Sequence, residues 1–356
     1  MTITGLWKYY KDHVGYEVLS VKEFSGQLLA NDISVFMYAT RCVSKEYYLS
    51  RINPFIIPVD ENDIDTIWLK KALDSLKVSL RKGFCPIFVY DGEKDSLKLD
   101  TLATRQQESI KAQAEIDALY KKYEGVDMLD IPSSAVKRVK ELLIRVNRMP
   151  FESKQKFFDF FNCLGIPWVQ SAGEGERTCA LMNRDGVVPA VISVDGDCLA
   201  CGAKLVLLRD ANVYNEDGFG SPAFEVARLD SMLDKLEMSE ELFIELCIMA
   251  GTDFNKNIPK IGFVKSIKLL MDHGSISKIG AKTKHDISIL NHREVRKRFE
   301  RVPWQSTVKD ACFEVTFDDV REIKALERYN LVIDLVELTK LKQKFITLRE
   351  KRLSEQ

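Results

Sequence analysis

Apolar runs that stop on an acidic residue punctuate this chain: Leu28-Leu29-Ala30-Asn31-Asp32, Ile87-Phe88-Val89-Tyr90-Asp91 and Ala190-Val191-Ile192-Ser193-Val194-Asp195-Gly196-Asp197. Runs of this length read as buried strands. Gln27 to Ser34 predicts a strand that passes into a helix through Val43, and Cys85 to Tyr90 predicts another strand. Between them, after a loop at Pro54 to Pro58, apolar residues at Ile64, Ile67, Trp68, Ala72, Leu76 and Leu80 have the spacing of an amphipathic helix over Ile64 to Lys82. Asp95 to Tyr123 is polar, helix-favouring and poor in Gly and Pro. Past a break at Gly125 to Pro132, Ala135 to Asn147 resumes a helix with Lys137, Arg138, Lys140 and Arg145, and Arg148 just beyond. Helices so short of apolar residues belong above a sheet rather than in a core layer.

The alternation then returns. Ser153 to Leu164 predicts a helix, Ile166 to Val169 a strand, Glu174 to Asn183 a helix, and the runs into Asp195 and over Lys204 to Leu208 two more strands. Beyond residue 220 the pattern is helical, with a strand expected only at Cys312 to Phe317. No internal repeat or low-complexity segment stands out. The order predicts an α/β fold: a central, mostly parallel twisted sheet flanked by helices.

A chain of 356 residues with 46% hydrophobic content can bury a sizeable core without staples. Charge names no partner, because 52 Lys and Arg face 53 Asp and Glu. Eight cysteines, among them Cys42, Cys85, Cys163 and Cys247 inside apolar runs, read as buried free thiols in a reducing compartment. Cys198 and Cys201 form a C-x-x-C with no second pair and no thioredoxin-like setting, so the structural reading is preferred. Met1 to Tyr16 is broken by Gly5, Lys8, Lys11 and Asp12, unlike a signal peptide, and no run approaches a membrane span of about 20 residues. A soluble intracellular protein, nuclear or cytoplasmic, is expected, with no membrane partner.

An open α/β sheet gathers the carboxyl ends of its strands along one crevice, so acids remote in sequence meet there. A cluster of hard oxygen donors without His or Cys calls for Mg²⁺ or Mn²⁺ as counter-charge. Asp195 and Asp197, two apart, face the same side if the strand stays extended, although Asp-Gly-Asp is also a common turn. Glu174 and Glu176 in Ala172-Gly173-Glu174-Gly175-Glu176-Arg177 converge only if they straddle a helix start, and otherwise are solvated first-turn acids. Asp253 in Gly251-Thr252-Asp253-Phe254 reads alone as a helix cap. Asp32 and Asp91 are harder to set aside, since a carboxylate ending a buried strand needs a partner.

In order and context these acids resemble the flap endonuclease branch of the XPG structure-specific nuclease family, over about residues 1 to 275. Met1-Thr2-Ile3-Thr4-Gly5-Leu6 is similar to its Met-Gly-Ile-x-Gly-Leu, Asn31-Asp32-Ile33-Ser34 to its Ile-Asp-Ala-Ser, and Val89-Tyr90-Asp91-Gly92 to its Val-Phe-Asp-Gly. Gly173-Glu174-Gly175-Glu176-Arg177 resembles Ser-Glu-Ala-Glu-Ala, Asp195-Gly196-Asp197-Cys198-Leu199 resembles Asp-x-Asp-Cys-Leu, and Met249-Ala250-Gly251-Thr252-Asp253-Phe254 resembles Leu-x-Gly-Ser-Asp-Tyr. Six motifs in order are specific where one would be thin.

The resemblance implies a PIN-like two-metal nuclease that cuts flapped or branched DNA near the junction, with 5′ exonuclease activity as an accompaniment, in replication, recombination or repair. It implies two Mg²⁺ or Mn²⁺, the first favoured by Asp32, Asp91, Glu174 and Glu176 and the second by Asp195, Asp197 and Asp253. Lys98 and Arg105, seven apart on one helix face, resemble the basic pair that reaches the scissile phosphate, and Tyr38 resembles the aromatic that stacks the terminal unpaired base. Ile258 to Lys268 resembles the helix-three-turn-helix that grips duplex backbone through Gly262, Lys265 and Lys268, often with a bound K⁺. The family usually has Gly at the position of Lys260 and Pro at that of Phe263, Gly for Thr2, and arginines where this chain has Glu108 and Ser109.

The implied organisation is 1–94 and 151–255 for the two parts of the nuclease core, 95–150 for a helical arch, 256–275 for the helix-three-turn-helix and 276–356 for a C-terminal helical region with some DNA contact. A monomer is expected. Gln343-Lys344-Phe345 lacks the downstream aromatic pair of a sliding-clamp motif. Three alternatives stay open: an exonuclease or junction resolvase of the same family, a non-catalytic nucleic-acid-binding scaffold, and a phosphatase using Asp195 as nucleophile with Asp197 as acid.

Overall fold

A computed structural model describes residues 3–146, 149–214, 220–317 and 335–355, together with 324, 327 and 328. Met1, Thr2, Asn147, Arg148 and Gln356, named above, lie outside the described residues.

Eight strands form one sheet: β1 (Glu17–Ser20), β2 (Leu28–Asp32), β3 (Cys85–Tyr90), β4 (Trp168–Ser171), β5 (Val191–Ile192), β6 (Leu205–Tyr214), β7 (Gly220–Arg228) and β8 (Val308–Cys312). Their order is β1-β7-β6-β5-β2-β3-β4-β8. The run from β6 to β4 is parallel, while β1, β7 and β8 pair antiparallel at the flanks. Asp32 sits opposite Val89 and Asn31 opposite Ile192, so the carboxyl ends of the central strands align.

The helices are α1 (Leu6–Tyr9), α2 (Ile33–Ser50), α3 (Glu61–Arg81), α4 (Leu99–Lys122), α5 (Ser133–Arg145), α6 (Phe151–Cys163), α7 (Gly175–Arg184), α8 (Asp197–Ala200), α9 (Leu229–Leu236), α10 (Glu240–Ala250), α11 (Phe263–His273), α12 (Ile276–Lys282), α13 (His292–Arg296) and α14 (Leu335–Ser354). Apolar spacing in α3 and α6 delivers Trp68 onto Phe157, stacked at 4.7 Å, and Phe161, Phe88 and Phe36 extend this aromatic core under β3. Arg41 of α2 is buried there with Asp65, which also accepts from Ser153 at 2.9 Å and Lys156 at 3.1 Å. A buried arginine is tolerable only with its charge and donors matched in this way.

The polar stretch after β3 is a helical hairpin. α4 and α5 close on Ala112, Ile116 and Leu142, and Arg138 donates to the Glu115 carboxylate through Nε and Nη2. Leu143 and Ile144 anchor α5 to Tyr48, Leu49 and Ile64 of α2 and α3. Phe55, in the loop between those two helices, meets Tyr120 and Tyr123 edge-on.

Three readings change. Strands β1 and β7 were not expected: β1 has four residues, and Pro222 near the start of β7 obscures a strand whose buried positions begin only at Ala223. The strand into Asp195 ends at Ile192, because the Ser193 hydroxyl and the Asp195 carboxylate take the next backbone N–H groups into turns. The C-terminal region is not wholly helical. β8, at 308–312 rather than 312–317, pairs with β4 and completes the sheet.

Candidate metal centre and nucleic-acid interface

Asp32 ends β2 and caps α2, accepting from the backbone N–H of Ser34 at 2.7 Å and Val35 at 3.4 Å. Asp91 follows β3 and is held on both oxygens, by the Ser34 hydroxyl at 2.5 Å and the Gly175 N–H at 2.8 Å. That second bond ties Asp91 to the helix start carrying the glutamates: Glu174 is the cap residue of α7 and Glu176 lies in its first turn. The two do straddle the helix start, which is how residues two apart converge. Gly175 between them faces Asp91 closely, since an added Cβ would stand 3.1 Å from Asp91 Oδ1.

Asp195 and Asp197 meet in a turn rather than along a strand, with Asp195 Oδ1 accepting from the Asp197 N–H at 3.2 Å. The backbone follows the turn reading of Asp-Gly-Asp, and the extended strand on which the same-side reading depended ends at Ile192. Carboxylate oxygens of Glu176, Asp195 and Asp197 lie within 4.8 Å of one another. Asp253, just past α10, is buried and takes the Arg105 guanidinium at 2.8 Å.

The acids feel one another. Burial first, then Asp91, pushes the Asp32 carboxyl up to about 7. Burial, then Asp195, Asp197 and Asp32, raises Glu176 well above the ordinary glutamate value; burial, then Asp195 and Asp253, does the same to Asp197. Burial also raises Asp195, against the N–H bond from Asp197. Mutual repulsion thus links the seven carboxylates in one acidic neighbourhood, of which Glu174, Glu176 and Asp197 line a cleft. Asp197 Oδ1 is buried and has no hydrogen-bond donor among the described residues. An oxygen-only cluster with a buried, unmatched carboxylate oxygen fits a hard divalent cation such as Mg²⁺ or Mn²⁺.

Lys98 ends the turn Ser96–Lys98 that opens α4, and Arg105 lies two turns further along. Lys98 Nζ reaches Glu174 at 2.6 Å and stands 4.8 Å above the Phe254 ring. Burial opposes its charge, but the Glu174 carboxylate and its hydrogen bond outweigh that and hold the ammonium above the ordinary lysine range. The base of the hairpin is further fixed by the Thr101 hydroxyl on the Asp253 carbonyl at 2.8 Å. A cleft of about 390 Å³ opens here, lined by Lys98, Glu174, Glu176, Asp197, Phe254 and Arg298. Tyr38, on the second turn of α2, is 42% exposed, which rules out a core role.

Between α10 and α11, Gly262 lies at the start of α11 with open space where a side chain would be, and Lys265 and Lys268 are exposed. Lys260 holds a left-handed backbone, φ 66°, at a cost of about 1 kcal/mol for a residue with a Cβ. Phe263 is buried, 5.3 Å from the Tyr9 ring, and presses on Gly5, whose φ of 85° and close approach both favour glycine. The aromatic in place of proline thus packs the amino-terminal turn onto this element.

Several residues escaped the sequence reading. The Cys198 thiol donates to Glu176 at 3.2 Å, and Ser34 holds Asp91. Only adjacency to the acidic motifs hinted at either. Arg298 pairs with Asp95, whose side chain caps the Lys98 turn through the Leu97 N–H at 2.9 Å, and nothing in the sequence links positions 203 residues apart. In the C-terminal region, where some DNA contact is expected, Arg296 pairs with Glu245, Lys297 with Glu294, Arg298 with Asp95 and Arg301 with Glu240. All eight cysteines are free. Phe345, in the segment considered for clamp binding, is fully buried in α14. No helix among the described residues is long and apolar enough to cross a membrane.

The parallel sheet with acids at its strand ends, met by Lys98 and Arg105 from the base of a helical hairpin, is the arrangement of a metal-dependent nuclease core. Residues 1–112 match the family model for the XPG N-terminal domain, and residues 165–253 that for the XPG I-region. The chain is 32% identical over 266 residues to flap endonuclease 1 of Methanothrix thermoacetophila, covering 70% of this chain and 75% of the relative. It is 27% identical over 285 residues to flap endonuclease 1 of Cryptosporidium muris, covering 78% of this chain and 57% of that longer relative. The solved structure of flap endonuclease-1 from Methanococcus jannaschii is similar in fold, with a TM-score of 0.61 at 21% identity over 96% of this chain and 99% of the other. The chain belongs to the XPG family, in its flap endonuclease branch.

Proposed function

We propose that this protein is a Mg²⁺-dependent structure-specific endonuclease that cuts 5′ flaps in DNA near the junction of single strand and duplex, acting as a monomer in replication, recombination or repair. What supports this is the cluster of Glu176, Asp195 and Asp197, with Asp32, Asp91, Glu174 and Asp253 as charged neighbours and with Lys98 and Arg105, at the base of a helical hairpin, paired to Glu174 and Asp253. Asp32, Asp91, Glu174 and Glu176 would hold one divalent ion and Asp195, Asp197 and Asp253 a second. When bound, such ions would supply Lewis-acid chemistry, lowering the pKa of a water and offsetting charge on a leaving oxygen.

The chain's own groups do the positioning. Ser34 and the Gly175 N–H orient Asp91, and the Cys198 thiol orients Glu176. Lys98 and Arg105 neutralise Glu174 and Asp253 in the free protein, and both cations are placed to turn to the phosphate when DNA enters. Tyr38 offers an exposed face to the terminal unpaired base, worth about 1–3 kcal/mol by stacking. The hairpin of α4 and α5 guides the single-stranded flap, and Gly262, Lys265 and Lys268 hold the duplex backbone.

Cleavage of 5′-flap, nicked and four-way DNA under Mg²⁺, with product mapping, tests this reading. The flap is expected to be cut fastest, within a nucleotide or so of the junction. Preference for the nicked end points instead to an exonuclease, and paired symmetric cuts in the four-way substrate to a resolvase.

A further inference from the structure

The turn between α10 and α11 is where the family resemblance implies a bound K⁺. Residues 258–262 of this turn carry no carboxylate, so a monovalent ion there would be held by a cage of backbone carbonyls that replaces its water shell. In this chain four carbonyls of the turn, those of Ile258, Lys260, Ile261 and Gly262, already accept hydrogen bonds. Asn257 Nδ2 donates to the Ile261 carbonyl at 2.8 Å and to that of Ile258 at 3.3 Å. Lys265 Nζ donates to the Lys260 carbonyl at 3.1 Å, and the Gly262 carbonyl accepts from the Ser266 N–H at 3.0 Å and its hydroxyl at 3.1 Å.

The donors matter as much as the count. An ion held by the Lys260 carbonyl would stand beside the Lys265 ammonium, and like charges at that range repel strongly. Lys260 itself places a second exposed ammonium in the turn, at a left-handed position where glycine is the unstrained choice. A residue that tolerates such a backbone in order to add positive charge supplies what a metal ion would otherwise bring.

We infer that this element takes no monovalent metal ion and uses attached cations instead. The Lys265 ammonium and the Asn257 amide occupy the ion's ligands, while Lys260 and Lys265 supply its charge toward a DNA phosphate. The donor geometry stands by itself; the role toward DNA rests on the proposed duplex grip of this element.

Flap binding by the Asp195→Ala variant in KCl, NaCl and tetramethylammonium chloride, at one ionic strength, tests the inference. Affinities within about twofold across the three salts are expected, because screening is then equal and only ion identity differs. A K⁺-specific tightening of about fivefold or more overturns it. The double variant Asn257→Ala with Lys265→Met, on the same background, frees the carbonyls and removes the competing charge. It is expected to acquire a K⁺-specific tightening, and a response as flat as the parent's would mean that these two side chains are not what excludes the ion. Crystals of the free protein soaked in RbCl give a third reading: no anomalous peak at residues 258–262 is expected, and a peak there overturns the inference. If flap DNA is not bound at all, the duplex-grip reading fails and the rubidium result alone decides the ion question.

Discussion

Lys98 Nζ lies 2.6 Å from Glu174 Oε2, although 76 residues separate them. A lysine from the base of the hairpin thus serves as counter-ion to an acid at the start of α7, with Arg105 and Asp253 repeating the arrangement. The pairs couple the hairpin to the acidic cluster. They also keep both cations within reach of any phosphate brought to the carboxylates.

Lys98→Ala is expected to lower the single-turnover cleavage rate on the order of 100-fold, the loss typical of one donor to developing negative charge. Flap affinity is expected to stay within about threefold, because the proposed duplex grip, not Lys98, would supply most of the binding. Rapid-quench kinetics at saturating enzyme measures this, and an unaltered rate would remove Lys98 from the reaction.

Asp195→Ala is expected to abolish cutting while leaving flap affinity within about tenfold, since the role proposed for the acid is to hold metal rather than DNA. Fluorescence anisotropy and a cleavage assay on the same preparation separate the two effects. Undiminished turnover takes Asp195 out of the mechanism and also ends the phosphatase alternative.

Cys198 tests the support of the centre. Burial, then the nearby Glu176, raises its thiol well above the ordinary value, so it stays protonated and remains a donor. Cys198→Ala is expected to weaken Mn²⁺ binding by about 10-fold, at the low end for loss of a residue that orients a metal ligand, and Cys198→Ser to recover most of it. Electron paramagnetic resonance titration of Mn²⁺ reads the affinity directly. Equal affinity in both variants would make the thiol a packing group only.

The pH dependence of the metal-free protein follows from Asp32. Its folded value of about 7 lies above the ordinary 3.8, so the folded chain keeps a proton that the unfolded chain releases. The stability from that proton is full below pH ~4 and is lost as pH rises through about 7. Glu176, Asp195 and Asp197 shift in the same direction. In EDTA the Tm is expected to fall by about 5 °C or more between pH 5 and pH 8. Mg²⁺ should recover most of that fall at pH 8, because bound cations replace the protons. Differential scanning fluorimetry checks it, and a Tm that climbs with pH in EDTA contradicts the clustered acids.

Gly92 lies where the loop after Asp91 crosses the segment before Glu174, joined by the Gly92 N–H to the Gly173 carbonyl at 2.7 Å. A Cβ there would run into the backbone carbonyls of Ser171 and Ala172. Gly92→Ala is therefore expected to destabilise by roughly 2 kcal/mol or more and to impair cleavage, because the two acid-bearing segments must part. Chemical denaturation followed by tryptophan fluorescence measures the first effect.

Local order in the chain was enough to place most elements. The strand Cys85–Tyr90 has the same bounds in sequence pattern and in structure, and the amphipathic spacing of α3 marked its buried face, because both depend on neighbours a few residues apart. The motif series likewise named the acids before their geometry was known. What sequence could not decide is which groups meet across long separations. Strands β1 and β7 exist through pairing rather than through their own pattern, and β8 closes the sheet from the far end of the chain. The Glu176, Asp195 and Asp197 cluster, the pairing of Lys98 with Glu174, the Arg298 hold on Asp95 and the Lys265 ammonium on the Lys260 carbonyl are likewise products of the assembled fold. Composition and periodicity act through local backbone preference and burial, whereas desolvation and Coulomb coupling depend on distances that only the folded chain sets.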